Sequence, residues 1–200
     1  KRSLELDPQN SNRAWNLGET YLALRAYPEA EHYFNKAISL DPMEKAPYIF
    51  KALTYWLWTG DSKRGSEIIE RMPHYDDPLV DYARYYNEML KGDYPAALEI
   101  LSKSTFEIMH TVIGFFTKAE LEGDAYTAMG EMALARASYN SARLLLEAEV
   151  KKSPLDPRIH SSLGLVYAAL GRKDDAIHEG SNAMEIYPVS LDALMGPFFV

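Results

Sequence analysis

The sequence predicts an all-α protein built as an array of antiparallel helix pairs, and three observations carry that expectation. Glycine, aromatic and alanine residues recur at fixed offsets in three separate stretches. Between those points the apolar residues follow the i, i+3, i+4, i+7 spacing of one helix face. Asp-Pro, Gly-Asp and Ser-Pro steps fall between the periodic segments, where helices need starts and stops.

The recurrence is specific. Leu17-Gly18-x-x-Tyr21 is followed by Ala30, Phe34 and Ala37; Gly123-x-x-Tyr126 by Ala135, Tyr139 and Ala142; Leu163-Gly164-x-x-Tyr167 by Ala176, Gly180 and Ala183. Each time twelve residues separate the glycine from the first alanine, an aromatic or small residue follows four later, and the second alanine lies seven beyond the first. One packing unit used repeatedly predicts a stacked array rather than a globule with a single active site.

Taken in order, residues 1–10 read as the end of a preceding repeat, because Leu6-Asp7-Pro8 echoes Leu40-Asp41-Pro42. The first complete repeat spans 11–44. Its first helix carries Leu17, Gly18, Tyr21 and Leu24, and its second carries Ala30, Tyr33, Phe34, Ala37, Ile38 and Leu40. Small residues at Gly18, Ala30 and Ala37 let the helices approach, while Tyr21 and Phe34 fill the space between. A degenerate second repeat, 46–77, keeps Ala52, Leu53 and Trp56, the Gly60-Asp61 turn and Gly65. The third, 78–104, opens with Asp77-Pro78 as N-cap and first helical residue, followed by Tyr82, Tyr86, Met89, the Gly92-Asp93-Tyr94 turn, Ala97 and Leu101.

Residues 105–115 are expected to be a connector or an extension of the next helix. The fourth repeat, 116–156, has a long second helix, since helical sequence continues past Ala142 through Leu144-Leu145-Leu146-Glu147 to Lys151-Lys152 before Ser153-Pro154. The fifth, 157–190, returns to regular spacing, and 191–200 begins a further repeat.

The pattern W-x2-L-G-x2-Y…A-x3-F…P matches the first repeat except at its first position, where Ala14 stands and the tryptophan, Trp15, comes one residue later. On these residues the chain resembles a tetratricopeptide-repeat protein over nearly its whole length. The resemblance implies an α-α superhelix of about five repeats plus partial repeats at both ends, some twelve helices in all, wound right-handed. The last sixty residues carry a narrower likeness. Ser141-Ala142-Arg143-Leu144-Leu145-Leu146-Glu147, Leu163 to Lys173, and Leu191-Asp192-Ala193-Leu194-Met195-Gly196-Pro197 resemble C-terminal repeat regions of large bacterial signalling proteins. Those proteins carry a kinase, nucleotide cyclase or DNA-binding domain elsewhere, which implies an interaction or regulatory role for these residues.

Composition narrows function. Apolar residues make up 47% and charged residues 25%, the balance of a folded soluble chain. With 21 basic against 29 acidic residues, a net charge of −8, general nucleic-acid binding is not expected. Cysteine is absent, which removes disulfides, thiol catalysis and zinc-thiolate sites and fits a cytoplasmic protein. No apolar run approaches the roughly 18–20 residues a membrane span needs. The chain has no initiator methionine and opens within helical sequence, so it is expected to be a piece of a longer protein.

Chemical motifs are thin. Gly60-x-x-x-x-Gly65-Ser66 lacks the lysine and the preceding strand of a phosphate loop, and reads as a turn plus a small packing residue. His32, His74, His110, His160 and His178 are scattered and read as surface or turn residues; no metal or other cofactor is expected. Asp76-Asp77 and Asp174-Asp175 flank helix starts, where they complement the helix dipole. Most tyrosines fall at packing positions, with Trp15 and Trp58 off the stripe. No catalytic constellation is present in the sequence, so no enzyme activity is expected.

The candidate site follows from the resemblance, because in such arrays the first helix of each pair lines a groove. Asn12, Trp15, Asn16 and Glu19, then Phe50, Lys51, Thr54 and Trp58, then Arg84, Asn87 and Lys91 would face it. Asn16, Lys51 and Arg84 would form a ladder in consecutive repeats. Asparagine amides both donate to and accept from a peptide backbone, and the basic residues would hold a carboxylate. The set is similar to the two-carboxylate clamp of chaperone-binding members, although Glu19 and Tyr85 break that pattern. The expected partner is a protein or peptide. The alternatives are self-association through 105–115 and the long helix over Leu144–Lys152, giving a homodimer, and a sensor regulating an attached domain.

Overall fold

A computed structural model describes residues 9–73, 77–111, 114–188 and 190–191. The described residues form ten helices: α1 (Ser11–Ala23), α2 (Tyr27–Leu40), α3 (Ala46–Thr59), α4 (Ser62–Arg71), α5 (Pro78–Lys91), α6 (Tyr94–Lys103), α7 (Lys118–Met129), α8 (Met132–Lys152), α9 (Pro157–Ala169) and α10 (Lys173–Ile186). Two short strands, β1 (Ile108–His110) and β2 (Phe115–Thr117), lie between α6 and α7. The all-α repeat class expected from the sequence is the observed one. The expected partial repeats at the two ends fall almost wholly outside the described residues, as do His74 and Asp76.

Short polar residues set the helix starts. The side chains of Asn10, Asp61, Asp77, Thr117 and Asp156 accept from backbone N–H groups of Arg13, Arg64, Leu79, Glu120 and Arg158 at 2.9–3.1 Å. Each such cap contributes about 1 kcal/mol. Gly60 and Gly92 end α3 and α5 in the left-handed region, with φ of 68° and 76°, which turns the chain sharply into the next helix.

The chain divides into two compact units at residues 100 and 101. In the first, α1 pairs with α2 and α3 with α4, while α2 also packs on α3 and α4 on α5. Tyr48, Ile49, Ala52, Tyr55, Ile68, Ile69, Met72, Val80 and Ala83 form its main core. In the second, α7 pairs with α8 and α9 with α10, and α8 packs on α9. There Phe115, Tyr139, Leu146, Ile159, Leu163 and Val166 are buried together.

The repeated glycines earn their places by close contact. A Cβ at Gly18 would stand 2.5 Å from the Phe34 ring, one at Gly123 2.6 Å from the Tyr139 ring, and one at Gly164 3.3 Å from the Ala176 carbonyl oxygen. At Gly18 and Gly123 the aromatic partner is the one four residues after the first alanine, as the spacing requires; at Gly164 that position is Gly180. Tyr21 packs on the Leu22, Ala30 and Phe34 cluster and also stacks on Tyr33 of the second helix at 5.4 Å.

The described residues of 105–115 do not extend α7. They enter an antiparallel hairpin in which Ile108, Met109 and His110 pair with Thr117, Phe116 and Phe115. Threonine, isoleucine and phenylalanine crowd this stretch, and such residues favour extended backbone. Long-range bonds fix the hairpin to α9: Arg158 Nη1 donates to the Thr111 carbonyl at 2.7 Å, and Ser162 Oγ donates to the Phe115 carbonyl. Phe115 is 1% exposed, so the strand carries a core side chain as well as its backbone bonds.

Candidate functional site

Helix α3 presents Lys51, Tyr55 and Trp58 at i, i+4 and i+7, a single stripe. The Tyr55 hydroxyl donates to Glu31 of α2, and burial with that bond pushes its pKa up to about 12. Arg64 of α4 lies over the Tyr55 ring at 4.7 Å. Trp58 stacks on Tyr27 of α2 at 6.0 Å and on Tyr55 at 6.2 Å, yet stays 41% exposed. Lys51 is half-buried; burial lowers its pKa, with Glu31 opposing and Arg71 and Arg64 adding to the shift. The result is a rigid aromatic ledge with an ammonium group one turn away.

The next repeat is built differently at the same place. Helices α3 and α5 begin at Ala46 and Pro78 and end before Gly60 and Gly92, a spacing of 32 residues. Helices α4 and α6 begin at Ser62 and Tyr94, again 32 apart, whereas α2 and α4 begin 35 apart at Tyr27 and Ser62. Tyr55 therefore aligns with Asn87, Arg64 with Ala96, and Glu31 with Ser66. The hydrogen bond survives the exchange: Asn87 Nδ2 donates to Ser66 Oγ at 2.6 Å, as Tyr55 does to Glu31. The ring and the guanidinium do not survive it. A cleft of about 230 Å³ is found here, lined by Ser66, Ile69 and Glu70 of α4, Arg84, Asn87 and Glu88 of α5, and Ile100 of α6.

Asn87 is 3% exposed, and its Oδ1 is buried without a donor. Glu88 Oε1 stands 3.5 Å from the same Nδ2 that bonds Ser66. A carboxylate only accepts, so the N–H side of the amide is fixed there and the unpartnered atom is the oxygen. Leaving such a group unpaired costs about 1–3 kcal/mol.

The residues expected to line one groove are thus divided. Arg84 and Asn87 share the cleft against α4, a second helix, and do not continue a ladder from Lys51. The 32-residue register aligns Arg84 with Ala52 rather than with Lys51. Asn12 and Asn16 are exposed on α1. Trp15 is half-buried, packing edge-on to Phe50 at 6.2 Å, so it belongs to the helix packing it was expected to leave. Thr54 is 0% exposed and donates to the Phe50 carbonyl at 2.8 Å, out of a ligand's reach.

Tyr27, Glu31, Tyr55 and Arg64, and likewise Glu70 and Glu88, carry no motif in the sequence, and Ser66 stands out only in the Gly60-x-x-x-x-Gly65-Ser66 step. The glycine-to-glycine spacing was the available signal for aligning them. One histidine is not at the surface. His160 is 5% exposed, with Nδ1 at 2.5 Å from Glu179 Oε2 and Nε2 at 3.0 Å from the Pro154 carbonyl. It ties α9 to α10 and to the preceding turn, a core role rather than a surface one.

Consecutive helices packed in pairs, with Gly18 under Phe34 and Gly123 under Tyr139, define a helical-repeat protein with a scaffold's architecture. The family follows from the sequence models: the tetratricopeptide repeat matches residues 13–43 and 121–188, and the chain is a tetratricopeptide-repeat protein. Its fold is that of protein–protein interaction scaffolds.

Solved structures agree on the fold. A tetratricopeptide-repeat protein of Parabacteroides merdae is 16% identical, with a TM-score of 0.65 over 99% of this chain and 74% of that one. A thermophilic one from Thermus thermophilus is 23% identical, with a TM-score of 0.54 over 94% and 97%. YrrB, described as having an unusual peptide-binding site, is 14% identical, with a TM-score of 0.51 over 98% and 94%. No curated protein matches the sequence significantly. Among the described residues no helix is long and apolar enough to cross a membrane.

Proposed function

We propose that this chain is a non-catalytic interaction scaffold that binds an extended peptide on its first unit, at the α3 ledge. One observation carries the reading: Trp58 remains 41% exposed although Tyr27 and Tyr55 hold it in a stack. Immobilised tryptophan and tyrosine beside a basic side chain are the usual energetic centres of interfaces, because little side-chain entropy is lost on contact. Lys51 supplies the cation, favouring a peptide with an acidic residue near an apolar one. Asn12 and Asn16, exposed on α1, are available to extend the contact along the backbone. The likeness of the last sixty residues supports a place within a larger bacterial signalling protein, and the absence of cysteine supports a cytoplasmic one.

The test is a peptide array probed with wild type and with Lys51→Glu plus Trp58→Ala. Acidic–apolar peptides should bind the former and not the latter. Equal binding by the double variant refutes the ledge.

Self-association is a second reading, favoured by exposed leucines and isoleucine in the second unit: Leu144 at 59%, Leu165 at 65% and Ile177 at 58%. Sedimentation velocity decides it, since a concentration-independent monomer removes the dimer.

A further inference from the structure

The geometry points to a second recognition site, at the cleft between α4, α5 and α6, which takes the carboxamide side chain of a glutamine or asparagine in a peptide partner. The cleft lies where Asn87 stands in place of the preceding repeat's Tyr55. Its volume of about 230 Å³ is below the range of cofactor and drug-sized pockets and suits one side chain.

The lining specifies the chemistry. Asn87 Oδ1 is an acceptor awaiting a donor, and it is shielded from solvent. An entering group must displace a lining side chain, and the long, half-buried Arg84 and Glu88 are the ones able to move. Ser66 Oγ accepts from Asn87 Nδ2, leaving its own O–H to donate. Arg84 adds further donors, and Glu70 a further acceptor. Glu88 is neutralised by Lys91 at 2.7 Å, so Glu70 and Arg84 leave the cleft without net charge. A carboxylate ligand would face Glu70, and an ammonium would face Arg84. A carboxamide offers N–H to Asn87 and Glu70, and a carbonyl to Ser66 or Arg84, with its methylenes against Ile69 and Ile100.

This site is separate from the α3 ledge and stands or falls apart from it. The test follows the Asn87 side-chain amide by NMR on the ¹⁵N-labelled full chain. The titrants are unblocked glycine–alanine peptides carrying glutamine, glutamate, lysine or norleucine at the centre, and free glutamine. The glutamine peptide should shift the Asn87 and Ser66 signals saturably and bind about tenfold or more tighter than the glutamate and norleucine peptides, the effect of about one hydrogen bond.

Asn87→Tyr restores the ring of the preceding repeat, fills the cleft and should abolish the shifts. Lys51→Glu plus Trp58→Ala should leave them intact. The wild-type titrations decide the matter even if Asn87→Tyr misfolds. No saturable shift, indifference to the central residue, or preference for lysine overturns the assignment. Free glutamine binding as tightly as its peptide overturns the peptide source.

Discussion

Replacing Glu120 by glutamine should make the second unit more stable at neutral pH and leave it unchanged in acid. Glu120 is the third residue of α7, where it completes a capping box: its N–H donates to Thr117 Oγ1 at 3.1 Å and its carboxyl accepts from the Thr117 N–H. The position that suits the cap also buries the group. Glu120 is 7% exposed and its Oε2 has no partner. Burial, and then the nearby charge of Asp124, raise its pKa from 4.5 to about 8.

The sign follows directly. Below pH 4.5 the carboxyl is protonated whether the chain is folded or not. Between 4.5 and about 8 the unfolded chain has released the proton while the folded one still holds it. Across that window each pH unit removes about 1.4 kcal/mol of stability. At neutral pH the loss from this one group is about 3 kcal/mol, and it continues as pH rises towards 8. Glutamine keeps an acceptor for Thr117 N–H and does not ionise.

Hydrogen exchange of α7 amides, measured from acid to mildly alkaline pH, reads the effect locally. Far-UV circular dichroism in guanidinium is a second readout. Tryptophan fluorescence would miss it, because Trp15, Trp56 and Trp58 all lie in the first unit. Wild type and Glu120→Gln should coincide in acid and diverge with rising pH, the variant being the more protected. Parallel profiles, or a variant less protected at neutral pH, refute the reasoning.

Two further outcomes are expected. Gly164→Leu should disrupt the α9–α10 pair, since even a Cβ there meets the Ala176 carbonyl oxygen at 3.3 Å and the Gly180 N at 3.4 Å. Overpacking of this kind costs about 1–3 kcal/mol, and a thermal melt should show a lowered transition. Arg158→Met should release the hairpin, because its guanidinium spans Asp156 at 2.6 Å and the Thr111 carbonyl at 2.7 Å. With the side chain 29% exposed, a loss of about 1–2 kcal/mol is expected. Exchange should quicken over Ile108–His110 and Phe115–Thr117 while α1–α4 stay protected.

Much of the fold was legible because its determinants are local. Asn10, Asp77 and Asp156 announce helix starts through bonds made within three residues. Gly18 and Phe34, or Gly123 and Tyr139, meet within a single helix pair, so their offset in sequence encodes the contact. The site was less legible. Helical period told that Lys51, Thr54 and Trp58 occupy α3, but Thr54 is sealed in the core while Trp58 is held partly open by Tyr27. Counting from Lys51 to Arg84 was one residue out, because the degenerate repeats shorten to 32 between glycine caps. The hairpin was missed for a similar reason: its anchors, Arg158 and Ser162, lie 47 residues from Thr111 and Phe115.

The sequence by itself determined an α-helical repeat with no cysteine chemistry, and placed the Gly18–Phe34 and Gly123–Tyr139 contacts that hold two of the pairs. Tertiary structure alone decided that Asn87 faces Ser66 across a cleft, that His160 is buried against Glu179, and that Trp15 is packing rather than bait. The physical reason is the range of the forces. Turns, caps and paired helices are selected by neighbours a few residues away, which a sequence displays. A side chain's exposure depends on what the adjoining repeat sets opposite it, and there a tyrosine exchanged for an asparagine opens a hole that no spacing rule announces.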